Sequence, residues 1–293
     1  MRLFFLATLG LALTWCKAFC PQTQNPVPPS TRLDAVNRRG FLSAGFVGAA
    51  STLFADTALA SDEKVLVLGG TGMVGTEVVK TLQMLGVDVI ATSTDGRDGT
   101  VALDFAQADL ASKVESLAKD CTAVISCVGV IGTENDEAIN AGSGLAAQAA
   151  KKAGVKRFVY ISVAPEVREF GKGFDFLQGY MKGKASSEAA ISSAFPTGSY
   201  TIVEPTFIYG GDKFALKPPR VASGYGQIIE SLLSSPPFRA ATNIAPEGFI
   251  KIALEPPVSS TSVAKAVVAG ALGKSSAPTL DTYDKIMEAS KLI

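Results

Sequence analysis

The 293-residue chain contains no histidine. That excludes a Ser-His-Asp hydrolase and any metal site built on imidazole, so no metal is expected. Tyrosine, lysine, serine, cysteine and the carboxylates are left as candidate acids, bases and nucleophiles. Cysteine is scarce too: of four, Cys16 and Cys20 lie in a stretch that reads as targeting sequence. If Cys121 and Cys127 sit on one strand, six residues hold them about 20 Å apart, beyond disulfide reach. An excess of positive charge is also missing, with 27 basic against 27 acidic residues. Without residues 1–60, five basic residues (Arg2, Lys17, Arg32, Arg38, Arg39) and two acids (Asp34, Asp56) are gone, leaving 22 against 25. A charge near −3 makes no electrostatic case for nucleic acid. The longest apolar run at the N-terminus, Leu3 to Trp15, is too short to span a membrane.

What is present begins with three stacked N-terminal segments. Residues 1–18, with Arg2, the apolar run and small Ala18 before Phe19, read as a secretory signal peptide. "NPVPPSTRLDAVNRRGFLSAGF" is poor in acids and reads as a transit peptide. Within 19–60, Arg38 and Arg39 precede a mildly apolar segment that ends in Ala58-Leu59-Ala60, which resembles a twin-arginine export signal. A weak membrane anchor over 41–60 is the alternative. In this order the segments resemble the targeting of algae with complex plastids. That implies a plastid, with the thylakoid lumen favoured and the stroma or the thylakoid surface as alternatives. The folded domain is then expected over 61–293.

From Lys64 onward, β-rich runs alternate with helical ones. "KVLVLGG", "VDVIAT", "TAVISCVG", "VKRFVYIS" and "SYTIVEP" read as strands. "MVGTEVVKTLQML", "FAQADLASKVESLA", "DEAINAGSGLAAQAAKKAG" and the Tyr180 segment between them read as helices. The alternation predicts an α/β Rossmann fold, a doubly wound parallel sheet with helices on both faces. The first turn, "VLVLGGTGMVG", places Gly69, Gly72 and Gly75 between strand and helix. These serve a tight turn, a close approach of backbone to a pyrophosphate, and close helix–strand packing.

An acid at the end of the second strand would hold the ribose hydroxyls of NAD. Ser93 stands there instead, and Arg97, four residues on, is placed for a 2′-phosphate. Asp95 argues the other way. NADP is therefore favoured, with NAD possible.

"GYMKGKASSEAAI" carries Tyr180 and Lys184 four residues apart, on one face if the segment is helical. Tyr209 and Lys213 have the same spacing, but Gly210 and Gly211 between them would break a helix.

Taken together and in order, "VLVLGGTGMVG", "TAVISCVGV", "EAINAGSGLAAQAAKKAGVKRFVYIS", "GYMKGKASSE" and "TIVEPTFIYG" resemble the short-chain dehydrogenase/reductase superfamily in its atypical or extended branch. The nearest resemblance is to members similar to a complex I accessory subunit and to plastid flavin-reductase-related proteins. It implies that Gly69, Thr71, Gly72, Met73, Val74 and Gly75 hold the pyrophosphate, and that Ser126, Val128 and Pro205 line the cofactor. It also implies that Ser162 orients a substrate carbonyl and that Tyr180 is the general acid or base. Lys184 would lower the tyrosine pKa and hold the nicotinamide ribose. A phenol with an ordinary pKa near 10 needs such a cation to transfer protons near neutrality.

This chain departs from the pattern at Thr94, where the family often has Arg, and at Glu204, where it has an arginine before the proline. Asn140 fits a helix position the family uses; its plainer reading is a solvated side chain.

By the same resemblance, residues 210–273 are expected to form a small substrate lid, with Pro- and Gly-rich loops around one amphipathic segment, "QIIESLLSS". The apolar "SPPFRAA" in it faces a hydrophobic substrate or the thylakoid membrane surface, or packs as an ordinary loop. "VSSTSVAKAVVAGAL" is expected to be a helix capped by Ser or Thr.

The expected function is an NAD(P)-dependent oxidoreductase acting on a small carbonyl or quinone-like molecule. The alternatives are a catalytically silent nucleotide-binding subunit, or an epimerase or dehydratase with retained cofactor. Oligomeric state stays open.

Overall fold

Burial of successive apolar residues on opposite faces of single strands explains the architecture. In the first strand, β1 (Lys64–Leu68), Val65 and Val67 enter one apolar cluster while Leu66 and Leu68 enter another, and all four are fully buried. The computed structural model describes residues 63–211, 215–216, 219–220, 222–246 and 249–293. The targeting segments expected over 1–60, and Lys213, lie outside the described residues.

The chain continues through α1 (Met73–Met84), β2 (Asp88–Ser93), β3 (Val101–Ala102), α2 (Leu110–Leu117), β4 (Ala123–Ser126), α3 (Asp136–Lys152) and β5 (Arg157–Ile161). Then come α4 (Pro165–Gly171), α5 (Asp175–Ala194) and β6 (Tyr200–Val203). The strands form one sheet in the order β11-β6-β5-β4-β1-β2-β3, where β11 is Thr279–Leu280. Every pairing in it is parallel.

Two-sided burial holds for the other central strands. Val159 and Ile161 of β5 face the cluster that Val78, Leu82, Val263 and Val267 share, whereas Phe158 and Tyr160 face Val114, Ala146, Ala150 and Ile191. Helices therefore cover both faces, as the near-continuous apolar strand runs require. The fold is the Rossmann-like α/β arrangement that the alternation predicted.

The lid region departs from expectation. Instead of loops around one helix, its described residues form three ahead of the closing "VSSTSVAKAVVAGAL" helix: α6 (Ser223–Leu233), α7 (Pro236–Ile244) and α8 (Phe249–Leu254). "SPPFRAA" is the start of α7, because Pro236 and Pro237 occupy the first helical positions, where a missing N–H costs nothing and a fixed φ suits the helix. Two short strands, β7 (Ile208–Tyr209) and β10 (Val258–Ser259), pair in parallel beside this region, and β8 (Ala215–Leu216) pairs antiparallel with β9 (Pro219–Arg220).

Glu230 of α6 accepts from the hydroxyls of Tyr209 and Tyr283, the latter at 3.0 Å. Arg239 of α7 pairs with Glu255 at 3.0 Å and with Asp284. Tyr209 is thus a buried strand residue, and its spacing to Lys213 is incidental.

The chain closes with α9 (Ser260–Ala271) and α10 (Tyr283–Ser290). As expected, a hydroxyl caps α9: Ser259 Oγ accepts from the Ser262 amide at 3.0 Å. Cys121 and Cys127 flank β4 and are free thiols. Among the described residues, no helix is long and apolar enough to cross a membrane.

Candidate functional site

The sheet order reverses between β1 and β4, and a parallel sheet binds ligands in the crevice beyond the carboxyl ends of its strands at such a point. The glycine loop forms one wall. Gly69 has φ +79°, a conformation that L side chains rarely adopt. Its amide and that of Gly70 are held by Thr92 of β2, through the Thr92 hydroxyl at 3.4 Å and carbonyl at 2.8 Å. A Cβ on Gly75 would sit 2.1 Å from the Gly69 carbonyl oxygen, so only glycine lets α1 start this close to the strand.

At Gly72 the only neighbour of such a Cβ is the Gly69 oxygen, 3.3 Å away, which leaves the other side open. Gly72 precedes the first turn of α1, which no side chain caps and which holds no acidic residue. The free amides and the open glycine fit a pyrophosphate. Thr71 and Met73 are half-buried beside it, and Val74 is buried in the core.

At the end of β2, Ser93 is buried and accepts from the amides of Gly96 and Arg97, at 3.0 and 3.1 Å. It is thereby a turn anchor. Arg97 and Asp95, which argued for different cofactors, are bonded to each other at 2.8 Å, both well exposed. Asp95 is held below the usual carboxylate range by its hydrogen bond from Arg97.

The next wall follows β4. Ser126 is fully buried and shares a hydrogen bond of 2.8 Å with Ser143 of α3, so its side chain is turned into the protein and not into the crevice. Val128 is half-buried, and its γ2 methyl lies 3.2 Å from where a Gly69 Cβ would be. Asn140 is fully buried, which overturns the solvated reading. Its amide donates to the carbonyls of Val130 at 2.8 Å and Asp136 at 2.6 Å, and its oxygen accepts from the Val130 amide at 3.3 Å. One turn earlier, Asp136 accepts from the amides of Gly132 and Thr133 at 2.6 and 2.9 Å. Two residues of one α3 face thus clamp the loop after β4.

The third wall is α5. Gly183 brings it against α3: a Cβ there would lie 2.6 Å from both Asn140 Cβ and the Glu137 carbonyl oxygen. Ser187 locks the crossing by donating to the Asn140 carbonyl at 2.7 Å and accepting from the Gly144 amide at 2.9 Å. Tyr180, Lys184 and Glu188, each four residues apart, form one stripe along this helix.

Lys184 is buried, donates to the carbonyls of Ile161 at 2.8 Å and Val128 at 3.1 Å, and lies over the rings of Tyr160 and Tyr180. Burial without a direct carboxylate partner pulls its ammonium down to about 7, against the opposing pull of Glu188 and Cys127. The expectation that Lys184 lowers the Tyr180 pKa is not met in this arrangement. Desolvation pushes the Tyr180 phenol up to about 12; Arg168 is the cation that pulls it down, and Glu188 pushes it further up.

Glu188 and Arg168 were not foreseen. Arg168 of α4 grips the Glu188 carboxylate with both Nη atoms, through Nη1 to Oε2 at 2.8 Å and Nη2 to Oε1. Its Nη2 also donates to Glu204 Oε1 and the Val163 carbonyl, both at 3.2 Å. Glu204, the departure noted before Pro205, therefore meets a cation after all, one supplied from another element. Its buried carboxyl is raised to about 7 by desolvation first and by Glu188 next, with Arg168 opposing.

Ser162, at the end of β5, donates its hydroxyl proton to Glu188 Oε1. Pro205 is buried, and its carbonyl accepts from the Ala164 amide at 3.3 Å. Cys127, despite its place in the crevice, is an inert thiol, pushed up to about 12 by burial.

The structure thus gathers Gly69, Gly72, Gly75, Val128, Ser162, Tyr180, Lys184 and Pro205 around the strand ends, and leaves Arg97 on the surface in an ion pair. Glu188 had a readable signal, one further turn along the Tyr180–Lys184 face. Arg168 had none.

An uncharacterized chloroplastic protein of Arabidopsis thaliana is 32% identical over 163 residues, covering 52% of each chain, so this chain spans about half the length of that relative. Among solved structures, the Bordetella bronchiseptica enzyme WbmH in complex with NAD+ is 19% identical, covers 72% of each chain and has a TM-score of 0.48. A dTDP-4-dehydrorhamnose reductase of Clostridium acetobutylicum is 21% identical over 74% of this chain and 72% of its own, with a TM-score of 0.48. Residues 69–222, more than half the chain and the stretch that contains every wall of the crevice, match the family described as NAD(P)H-binding, and the chain belongs to that family.

Proposed function

We propose that this protein is an NAD(P)-dependent oxidoreductase of the short-chain dehydrogenase/reductase type, acting on a small alcohol–carbonyl or quinol–quinone couple in the plastid. The observation that carries the reading is the stripe of Tyr180 and buried Lys184 on α5, aimed at the end of β5 beside the glycine loop. Gly69, Thr71, Gly72 and Met73 would hold the pyrophosphate, with Val74 and Gly75 setting the helix behind them; Val128 and Pro205 would line the rest of the cofactor. The nicotinamide, when bound, supplies or accepts the hydride. Tyr180 holds a proton at its phenolic oxygen and Lys184, near neutrality, holds or releases one at Nζ.

Replacing Tyr180 with Phe removes only the hydroxyl. It should abolish turnover of a panel of aldehydes and quinones while leaving NADPH affinity within a few fold, roughly. Parental activity in that variant would overturn the catalytic assignment.

A catalytically silent nucleotide-binding protein is the second reading. It is favoured by the fact that Ser162 spends its proton on Glu188. Tight NADPH binding without oxidation by any member of the panel would select it.

For location, we propose the thylakoid lumen, reached through the Arg38–Arg39 signal. The chloroplastic relative supports the plastid part of this reading. Changing both arginines to Lys should block import into the lumen. Digestion of the parent protein by protease added to intact thylakoids would overturn lumenal placement.

A further inference from the structure

The hydroxyl of Ser162 has a fixed sense. Ser162 is 5% exposed and donates to Glu188 Oε1. A serine hydroxyl has one proton and two lone pairs, so a serine that gives its proton to a carboxylate offers only acceptance to anything else it meets.

The carboxylate is not free to turn away. Arg168 holds both of its oxygens, while the same guanidinium is tied to the Val163 carbonyl and to Glu204. Reversing the serine would leave Glu188 Oε1 without that donor and replace a charge-assisted bond with a neutral one. The position lies at the end of β5, one residue beyond the Ile161 carbonyl that Lys184 holds, and on the crevice side of the sheet.

A carbonyl oxygen brings only lone pairs to such an acceptor. A hydroxyl brings a proton. We propose that the group seated against Ser162 is a hydroxyl, so that the site binds the alcohol or quinol member of its substrate couple in preference to the carbonyl or quinone member, with Glu188 and Arg168 as the positioning pair that sets this preference. The inference rests on the dehydrogenase reading given above and adds the substrate class to it. It also reverses the sense expected from the family resemblance, in which Ser162 orients a carbonyl. Tyr180, one turn before Lys184 on the same face of α5, is compatible, since a phenol that holds its proton can donate to a substrate oxygen.

The test uses 4-fluorobenzyl alcohol and 4-fluorobenzaldehyde, whose 19F signals report weak binding to the full chain. Each is titrated in a complex that cannot turn over, the alcohol with NADPH present and the aldehyde with NADP+. The wild type should bind the alcohol about tenfold more tightly, the scale of one buried hydrogen bond made against one left unmade. In Glu188→Ala the serine is released to donate, and the ratio should fall to near unity. In Ser162→Ala, which leaves the Glu188–Arg168 pair in place, it should also fall, and this second variant carries the comparison if a thermal melt shows Glu188→Ala unfolded. Equal or tighter binding of the aldehyde by the wild type, no measurable binding of the alcohol, or a ratio that neither variant moves overturns the inference. Failure of both cofactors to bind overturns the dehydrogenase reading and this inference with it; cofactor binding without alcohol preference overturns this inference alone.

Discussion

The two sides of the crevice are built on opposite principles. The wall after β1 is made of backbone: Gly69, Gly72 and Gly75 contribute space and free amides, and the chemistry there comes from what side chains do not occupy. The wall formed by β5, β6, α4 and α5 is made of largely buried charge: Arg168 of α4 holds Glu188 of α5 and, at 3.2 Å, Glu204 at the end of β6, while Lys184 lies one turn before Glu188 on α5. A backbone cradle suits a pyrophosphate that many proteins bind alike. A charge cluster fixes the hydrogen-bonding sense of individual side chains, which is where substrate choice resides. Conversely, the cradle fails through sterics and the cluster through electrostatics.

Substitutions should separate these two modes of failure. The largest effect is expected from Arg168→Met, which leaves Glu188 and Glu204 facing each other without their shared cation. A fully buried pair broken this way costs about 3–5 kcal/mol, and because Arg168 is about a quarter exposed, a loss near 3 is expected in chemical denaturation. Adding Glu204→Gln should recover part of it. If Arg168→Met is as stable as the parent, the cluster is not what holds this wall.

On the other wall, Gly75→Ala forces a methyl toward the Gly69 oxygen. Its cost of about 1–3 kcal/mol should appear as a roughly 10- to 100-fold loss of NADPH affinity in calorimetry. A change below threefold would mean that the loop relaxes freely.

Next in size is a pH effect confined to the charged wall. The folded Glu204 carboxyl titrates at about 7 instead of 4.5. Between those values the folded chain keeps a proton that the unfolded chain has released, so the stabilisation is present below 4.5 and lost as pH rises toward 7. Thermal midpoints measured at pH 5 and pH 7.5 should fall more for the wild type than for Glu204→Gln, by an amount on the order of 1–2 kcal/mol. Parallel profiles would show that Glu204 is ionised throughout.

The smallest effect is expected at Arg97. Its guanidinium is already bound to Asp95 and exposed, so Arg97→Ala should reduce NADPH affinity by only a few fold, about 1 kcal/mol or less, and leave NADH unchanged. A loss of two orders of magnitude would instead make Arg97 the 2′-phosphate ligand and establish NADP as the cofactor.

Much of this was legible in the linear sequence. The strand and helix alternation, the glycine spacing and the i, i+4 placement of Tyr180 and Lys184 are periodic or local signals, and they survive folding because they are properties of single elements. The misreadings share a cause. Asn140 read as solvated because a polar residue on a helix usually is, and only the approach of α5 at Gly183 buries it. "SPPFRAA" is expected among Pro-rich loops, either facing a substrate or membrane or packing as an ordinary loop, yet its prolines start a helix because the residues after them can continue one.

By itself the sequence determined a doubly wound sheet and a dinucleotide cradle, since two-sided burial and glycine sterics act within a few residues. It also placed Tyr180 and Lys184 on one helical face. Tertiary structure alone decided what surrounds that face: that Arg168 supplies the cation facing Glu204, that Glu188 takes the proton of Ser162, and that burial brings Lys184 and Glu204 to about the same pKa from opposite directions. Desolvation and charge pairing depend on which segments meet at the strand ends, and sequence separation carries no record of that meeting.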